Sequence, residues 1–280
     1  MTAAVLSTTA ERTYRYLRLG LAATVVVIVV AIVVASAQVG VLPSVSHYYY
    51  SPARDAFVGA LVAASLALFA LSGRGPQRAL LDAAALFAPL IAVVPATVVA
   101  GQVPGVGDGC DSPCLPGTTG VDADTSVAVY LVVSVLILAA GVAVLVRSRD
   151  LDRRGLTGSL LAATAIVAAI GLWWALDRAS FHLYAHVVVT TAFFALFAAA
   201  PLVLAISPGQ SASRGLRIGY LVVAGLLVVT GIVYLVVTVS GVSTTIPVVL
   251  VCELVALALF LMFWVLQTVQ NWSDPDPTLI

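Results

Sequence analysis

Two histidines separated by three residues, His182 and His186, are the strongest chemical signal in the sequence. On an α-helix this spacing places both imidazoles on one face, as a pair of zinc ligands requires. The candidates for a third ligand are His47, Asp55, Asp177 and Glu253. One interpretation is therefore a zinc site that keeps an open position for water. The alternatives are histidines that hydrogen-bond to loop carbonyls and tyrosines, and histidines that sense pH or handle protons.

A carboxyl group, Glu253, lies inside the last long apolar stretch of the chain. At 1.5 Å per helical residue it sits roughly 10–12 Å below the membrane boundary. A carboxyl at this depth must be protonated, paired, or exposed to a watery cavity. It is either a neutral acid hydrogen-bonded to a neighbouring helix or a functional group.

Other polar side chains fall at the same predicted membrane level, near the ends of apolar stretches. They are Tyr49, Arg54, Asp55, Asp177 and Arg178. Together with Glu253 they are predicted to frame an outward-facing pocket. The charged members could form an ion-pair network that joins two helical hairpins. Their guanidinium groups would equally suit lipid phosphate or another anionic head group.

Cys110 and Cys114 lie in a segment rich in Gly, Pro and Asp, which predicts a surface loop. We expect a small disulfide loop, because the predicted outer side of the membrane is oxidising. Free thiols are one alternative. A metal site is another, although it would need two further ligands and none lies nearby in the sequence.

Composition places all these residues in a membrane protein. Of the 280 residues 61% are hydrophobic and 9% are charged, and the mean hydropathy is +1.11, whereas soluble domains carry roughly 25% charged residues. Alternation typical of a membrane β-barrel does not occur. We predict an all-α polytopic membrane helix bundle with eight transmembrane helices within residues 19–269. The predicted spans are 19–38, 56–72, 79–100, 126–146, 156–176, 185–206, 218–240 and 245–267.

The distribution of arginine predicts the orientation of these spans. The chain has no lysine, and eleven of its 13 basic residues fall on one side of the predicted bundle. We therefore expect a multi-pass protein of the plasma (inner) membrane, with residues 1–18 and the tail 270–280 both cytoplasmic. Arginines, an apolar run and Ala35-Ser36-Ala37 also imitate a signal peptide. We favour a retained anchor, whereas cleavage would leave seven helices. A formal net charge of zero argues against nucleic acid as a partner.

Two segments carry a resemblance to a known family: SVSHYYYSPARDAFVGAL and FHLYAHVVVTTAFFALF. They resemble the bacterial multi-span membrane proteins labelled domain of unknown function 998, which are similar to the wider Frag/DRAM/Sfk type. The positions that carry the resemblance are Ser46, Tyr49, Arg54, Asp55, Phe57, Gly59 and His182. Some members of the wider type are tied to lipid or membrane homeostasis, so the resemblance implies a lipid-linked function.

The His182 and His186 pair is also loosely similar to one found in the membrane hydrolases that include alkaline ceramidases and adiponectin-type receptors. That resemblance implies a zinc surrounded by three histidines, a serine and an aspartate, with Ser46, His47 and either Asp55 or Asp82 in the remaining roles. Two features depart from the pattern. The pair falls in the sixth of eight predicted spans, and Ser46 and His47 precede their helix.

Three functions follow from these observations. We favour a lipid-linked protein or an accessory subunit of an envelope complex, whose partners are membrane lipids and a second membrane protein. The second hypothesis is a zinc-dependent intramembrane lipid hydrolase. The third is a small-molecule or proton-coupled transporter that uses Glu253.

Overall fold

A computed structural model describes residues 2–72, 76–147, 153–206, 213–242 and 246–272. The side chains of residues 2–11, 76–78 and 153–154 are not described. The elements are α1 (Thr2–Val39), η1 (a 3₁₀ helix, Ser46–Tyr50), α2 (Arg54–Leu71), α3 (Pro76–Val93), α4 (Thr119–Arg147), α5 (Arg153–Leu176), α6 (Arg178–Ile206), α7 (Arg214–Ser240) and α8 (Val248–Gln270). Residues 273–280 of the predicted tail and Thr245, the predicted start of the last span, lie outside the described residues.

The all-α fold is confirmed. Among the described residues, seven helices are long and apolar enough to cross a membrane, so the chain is an integral membrane protein. The exception is α3, whose apolar part, Ala79–Val93, is shorter. This helix ends at Val93, whereas the sequence predicts a span that continues to Ala100. The physical reason is Pro95, which lacks an N–H group and disfavours helical backbone at the residue before it.

Six helices pack in a closed ring. In order around the ring they are α1, α2, α3, α6, α7 and α8, and α8 packs against α1. The hairpin of α4 and α5 lies outside this ring, where it packs chiefly against α3. Inside this ring of helices, the centroids of the Phe197 and Phe260 side-chain rings lie 4.6 Å apart, and those of Phe197 and Phe263 lie 5.0 Å apart. These aromatic contacts fasten α6 to α8.

The outside of the bundle is as aliphatic as its inside. On α1 the buried residues recur every three or four positions, and the stripe comprises Leu21, Val25, Ile28, Ile32 and Ala35. Between them lie exposed valines: Val26, Val30, Val33 and Val34. Such a surface suits hydrocarbon, because lipid tails are as apolar as the core.

Two helices begin about two turns earlier than the sequence predicts. α4 begins at Thr119 rather than near Ser126, and α6 begins at Arg178 rather than near Ala185. The Asp177 carboxylate accepts a hydrogen bond from the Ser180 N–H at 3.0 Å. It therefore caps the N-terminus of α6. A single residue thus separates α5 from α6, and both His182 and His186 lie on α6.

The connection between α3 and α4, residues 94–118, folds back on itself. Val98 and Cys114 exchange backbone hydrogen bonds of 2.9 and 3.0 Å, and the predicted disulfide between Cys110 and Cys114 is confirmed. Gly107 has a φ of +76°, and an added Cβ there would lie 2.7 Å from Val98. Only glycine fits this turn without strain. The loop is therefore ordered beside the helix ends.

Candidate functional site

The chemistry-bearing residues gather at one end of the bundle, called here the loop end, where η1, the 94–118 loop and the turn between α5 and α6 lie. η1 is inserted between helices rather than laid over them, since Ser46, His47, Tyr48 and Tyr49 are all buried. The Leu250 N–H donates to the Pro43 carbonyl at 3.0 Å, which ties the segment before η1 to α8.

Tyrosines hold η1 in place on its other sides. The Tyr48 hydroxyl hydrogen-bonds to the Ser36 hydroxyl of α1 and accepts from the Leu42 N–H at 3.2 Å. The Tyr50 hydroxyl donates to the Ala96 carbonyl at 2.7 Å. The tyrosine run thus positions Ser46 relative to α1 and the segment that follows α3.

Glu253 on α8 and His186 on α6 are joined through Ser46. One Glu253 carboxylate oxygen accepts from the Val45 N–H at 2.6 Å, and the other lies 3.0 Å from the Ser46 hydroxyl. That hydroxyl lies 2.7 Å from His186 Nε2, and His186 Nδ1 lies 2.6 Å from the Val94 carbonyl oxygen. These five residues are called the Glu253 network. Glu253, Ser46 and His186 are all buried.

The order of groups in this network decides what it can do. A carbonyl oxygen only accepts, so His186 Nδ1 must donate to Val94. The Ser46 hydroxyl has one hydrogen but takes part in two hydrogen bonds, one with Glu253 and one with His186. The hydrogen of the other bond must therefore be carried by either Glu253 or His186 Nε2. In a catalytic triad the histidine lies between the serine and the acid. Here Ser46 lies between Glu253 and His186, so the arrangement holds a shared proton instead of activating a serine through an acid-supported histidine.

A second network surrounds Asp124 on α4 and is nearer the surface. Asp124 Oδ1 accepts from Trp174 Nε1 at 2.7 Å and lies 2.9 Å from His182 Nε2. Its other oxygen lies 3.6 Å from the Arg178 guanidinium, which stacks 4.4 Å above the Trp174 ring. These four residues are called the Asp124 network. The side chains of Asp124 and His182 are each 24% exposed.

A surface recess of about 460 Å³ lies beside this second network. Its lining includes Cys114 and Gly120 as well as Asp124 and His182. The disulfide loop thus forms one wall of the recess.

The pocket residues predicted from the sequence are distributed among separate groups. The Arg54 guanidinium donates to the Tyr49 hydroxyl at 2.6 Å and lies 4.3 Å from its ring, whereas Asp55 is exposed in the first turn of α2. Arg178 belongs to the Asp124 network and Asp177 caps α6. Within the described chain, the carboxylate recorded beside Arg178 is therefore Asp124 rather than Asp177.

The three histidines also have separate partners. His47 Nδ1 lies 2.5 Å from the Ser44 hydroxyl, and burial lowers the pKa of its ring. Both ring nitrogens of His186 are hydrogen-bonded, and His182 lies against Asp124. No group of three or more His, Cys, Asp or Glu that could hold a metal occurs among the described residues. A zinc site at these histidines stays a prediction from the sequence.

A large apolar cavity of about 600 Å³ lies between α6, α7 and α8. Its polar lining residues are Thr190, Thr191, Thr230, Tyr234, Cys252 and Glu253. The rest is aliphatic or aromatic, such as Phe194, Leu202 and Leu235. Glu253 and Thr190 also line a smaller cavity of about 60 Å³ inside the helix ring. Glu253 therefore lies between the two cavities.

Comparison with protein-family models, curated proteins and solved structures found no match for the chain. The function must therefore be argued from the site itself.

Sequence reasoning missed Asp124 and the large cavity. Asp124 precedes the predicted span 126–146, and its partners Trp174 and His182 lie 50 and 58 residues away in the sequence. Thr190 and Thr191 could have indicated the cavity from the sequence, because two adjacent hydroxyl groups in the middle of an apolar span need hydrogen-bond partners.

Proposed function

We propose that this integral membrane protein binds the hydrocarbon chain of a membrane amphiphile in the cavity between α6, α7 and α8. The observation that carries the proposal is the cavity itself. Its volume, about 600 Å³, falls in the range of ligand sites in proteins, ≈ 300–1,000 Å³. Its lining combines a long apolar wall with a few polar groups, Glu253 among them, which is the arrangement an amphiphile requires.

The shape of the cavity suits an extended chain. Along α7 the lining runs from Leu221 to Leu235, which corresponds to roughly 20 Å at 1.5 Å per residue. Several lining residues, including Leu202, Val228 and Ile232, are also exposed on the outer surface. The cavity is therefore open on the side that would face lipid, so a chain could enter laterally.

Two observations from the sequence support this proposal, one for a lipid-linked function and one for the orientation of the bundle. The resemblance to domain of unknown function 998 proteins, and through them to the Frag/DRAM/Sfk type, points to membrane homeostasis. The clustering of arginine on one side supports insertion in the plasma membrane with both termini in the cytoplasm. In that orientation the loop end, with Glu253 nearby, lies toward the outside.

The test is photolabelling of the purified protein in neutral-lipid nanodiscs with hexadecanol that carries a diazirine in its chain. We expect mass spectrometry to find adducts concentrated on the lining segments 195–202 of α6 and 221–235 of α7. The Gly231→Leu variant should lose most of these adducts, because an added Cβ at Gly231 meets no atom within 4 Å and its side chain would fill the space.

Gly59→Leu on α2 is the matched control. Gly59 is also a helical glycine with no atom within 4 Å of an added Cβ, but it does not line the cavity. Its adduct pattern should equal that of the wild type. Labelling no denser in the cavity than on Val132, Val135 and Leu136, which are exposed on α4, would overturn the proposal.

A further inference from the structure

The large cavity is lined by an acidic residue rather than a basic one. Glu253 is the acidic lining residue, and the described lining contains neither arginine nor histidine. A sulfate or phosphate head placed beside Glu253 would meet a carboxyl group with no cation to offset it. A cationic head would meet an opposite charge instead.

The Glu253 carboxylate already has donors but lacks an opposite charge. The Val45 N–H and the Ser46 hydroxyl lie within hydrogen-bond distance of its two oxygens. No ion pair of Glu253 is recorded among the described residues, and its side chain is buried. A buried carboxylate is costly unless a cation or a proton accompanies it. Within the Glu253 network the hydrogen shared by Glu253 and His186 through Ser46 meets this need, and a positive charge in the cavity beside Glu253 can take its place.

Two hydroxyls of the cavity lining add hydrogen-bonding capacity. Thr190 and Thr191 both line the cavity, and their Oγ1 atoms are buried with no partner within the described chain. Thr190 is only 6% exposed and lines the smaller cavity as well. Each hydroxyl oxygen can accept a hydrogen bond from an N–H group. A protonated amine supplies both a positive charge and such N–H groups, whereas a quaternary ammonium supplies only the charge.

We propose that the cavity selects amphiphiles with a protonated amine head, which pairs with Glu253 and donates to the hydroxyls of Thr190 and Thr191. The hydrocarbon tail then lies along α6 and α7, away from Glu253. This inference rests on the proposed function, because it specifies the head group of the amphiphile whose chain fills the cavity.

The test is competition against the photoreactive hexadecanol in neutral-lipid nanodiscs at constant pH. The competitors are tetradecylamine, tetradecanol and tetradecyl sulfate, whose chains are equal and whose concentrations are expressed per bilayer lipid. In the wild type we expect the amine to compete at a concentration about tenfold lower than the alcohol, a factor typical of one additional charge-assisted contact. The sulfate should be the weakest competitor.

Two variants test the residues. Glu253→Gln keeps the shape of the side chain and an acceptor oxygen, so the advantage of the amine over the alcohol should disappear while labelling by the alcohol persists. If Glu253→Gln does not fold, Thr190→Val serves in its place, since it removes one hydroxyl and keeps the branched shape. It should reduce the advantage of the amine severalfold.

The outcomes separate the two proposals. Equal competition by amine and sulfate in the wild type, or an undiminished amine advantage in Glu253→Gln, would overturn the head-group inference while the hydrocarbon site stands. If the photoreactive hexadecanol does not label the cavity at all, the proposed function itself is overturned.

Discussion

His182 and His186 belong to one His-x-x-x-His pair on α6, yet they lie in different environments. His182 is partly exposed and lies against Asp124, whereas His186 is buried between the Val94 carbonyl and Ser46. Four residues correspond to about 6 Å along a helix. That distance is enough to pass from the surface of the loop end to its interior. The spacing of the two histidines thus predicts that they share a face of α6. The depth of each imidazole in the bundle decides which groups it contacts.

The two carboxylates differ in the same way. Asp124 has Arg178 nearby, and its side chain keeps 24% of its exposure. Glu253 is buried, and its recorded partners are an N–H group and a hydroxyl. When a partner of Asp124 is removed, water can supply the lost hydrogen bond. Water cannot readily reach the buried Glu253 network to do the same. We therefore expect equivalent substitutions to cost more at Glu253 than at Asp124.

The largest effect is expected for Glu253→Ala, compared with Asp124→Ala. The first leaves the buried Val45 N–H without its acceptor, removes the partner of Ser46 on α8 and opens a void, which should lower the free energy of unfolding by about 2–5 kcal/mol. The second removes a partly exposed pair and should cost about 1 kcal/mol or less. Equilibrium unfolding in mixed micelles, followed by circular dichroism, measures both. Equal losses in the two variants would contradict the distinction between buried and exposed networks.

The next largest difference is expected between His186→Ala and His182→Ala. Removing the buried imidazole leaves the Val94 carbonyl without its donor, leaves Ser46 with Glu253 alone and opens a void, at a cost of about 2–4 kcal/mol. Removing His182 should cost about 1 kcal/mol, because Asp124 keeps Trp174 and can bind water. The same unfolding measurement applies.

A control separates these losses from metal binding. Elemental analysis of both histidine variants and of the wild type, after zinc is supplied, tests the zinc site predicted from the sequence. Stoichiometric zinc that is lost in either variant would mean that His182 and His186 act as one metal site, which would contradict their separate environments.

The helices were predictable because their signal is local. A run of Ala, Val, Leu and Ile long enough to span a bilayer identifies a helix without reference to its neighbours, as on α7 and α8. The helix bounds that were predicted wrongly are those set by a capping side chain or by a proline. Asp177 caps α6 two turns before the apolar run begins, and Pro95 stops α3 early. Hydropathy does not contain this information.

The site was predictable only in part. Glu253 was identified because a carboxyl within a span is expensive wherever it packs. Its partners Val45 and Ser46 lie more than 200 residues away in sequence and, in the case of Val45, use a backbone N–H group that any residue carries. Periodicity could not find the α6, α7 and α8 cavity either, since a surface lined with Leu and Ala reads the same whether it faces lipid, protein or a void.

A smaller effect is expected from opening the disulfide loop. Replacing Cys110 and Cys114 together by serine should cost about 2 kcal/mol, the loop-closure value for so short a loop. Since the loop borders the recess beside Asp124, hydrogen exchange should increase in residues 98–114 and around His182. Exchange around Glu253 should not change. Faster exchange at Glu253 would show that the two networks are coupled.

The smallest effect concerns His47, which follows Ser46 in η1 but belongs to neither network. Burial lowers its pKa below 6.5, although the Thr97 backbone and the Gln102 side chain act in the opposite direction. Above pH 6.5 the ring is neutral in both the folded and unfolded chains, and its contribution to stability is complete. Below that pH the unfolded chain binds a proton first, so stability falls by at most about 1.4 kcal/mol per pH unit from this group.

His47→Gln isolates this contribution, because glutamine can still hydrogen-bond to Ser44 but does not titrate. Between pH 7.5 and 5.5, the free energy of unfolding should fall more steeply for the wild type than for the variant, with the difference growing below pH 6.5. Every other residue is the same in both proteins, so its contribution cancels in the difference. Parallel curves would mean that His47 is not sealed from water, and η1 would then belong with the exposed Asp124 network rather than with the buried Glu253 network.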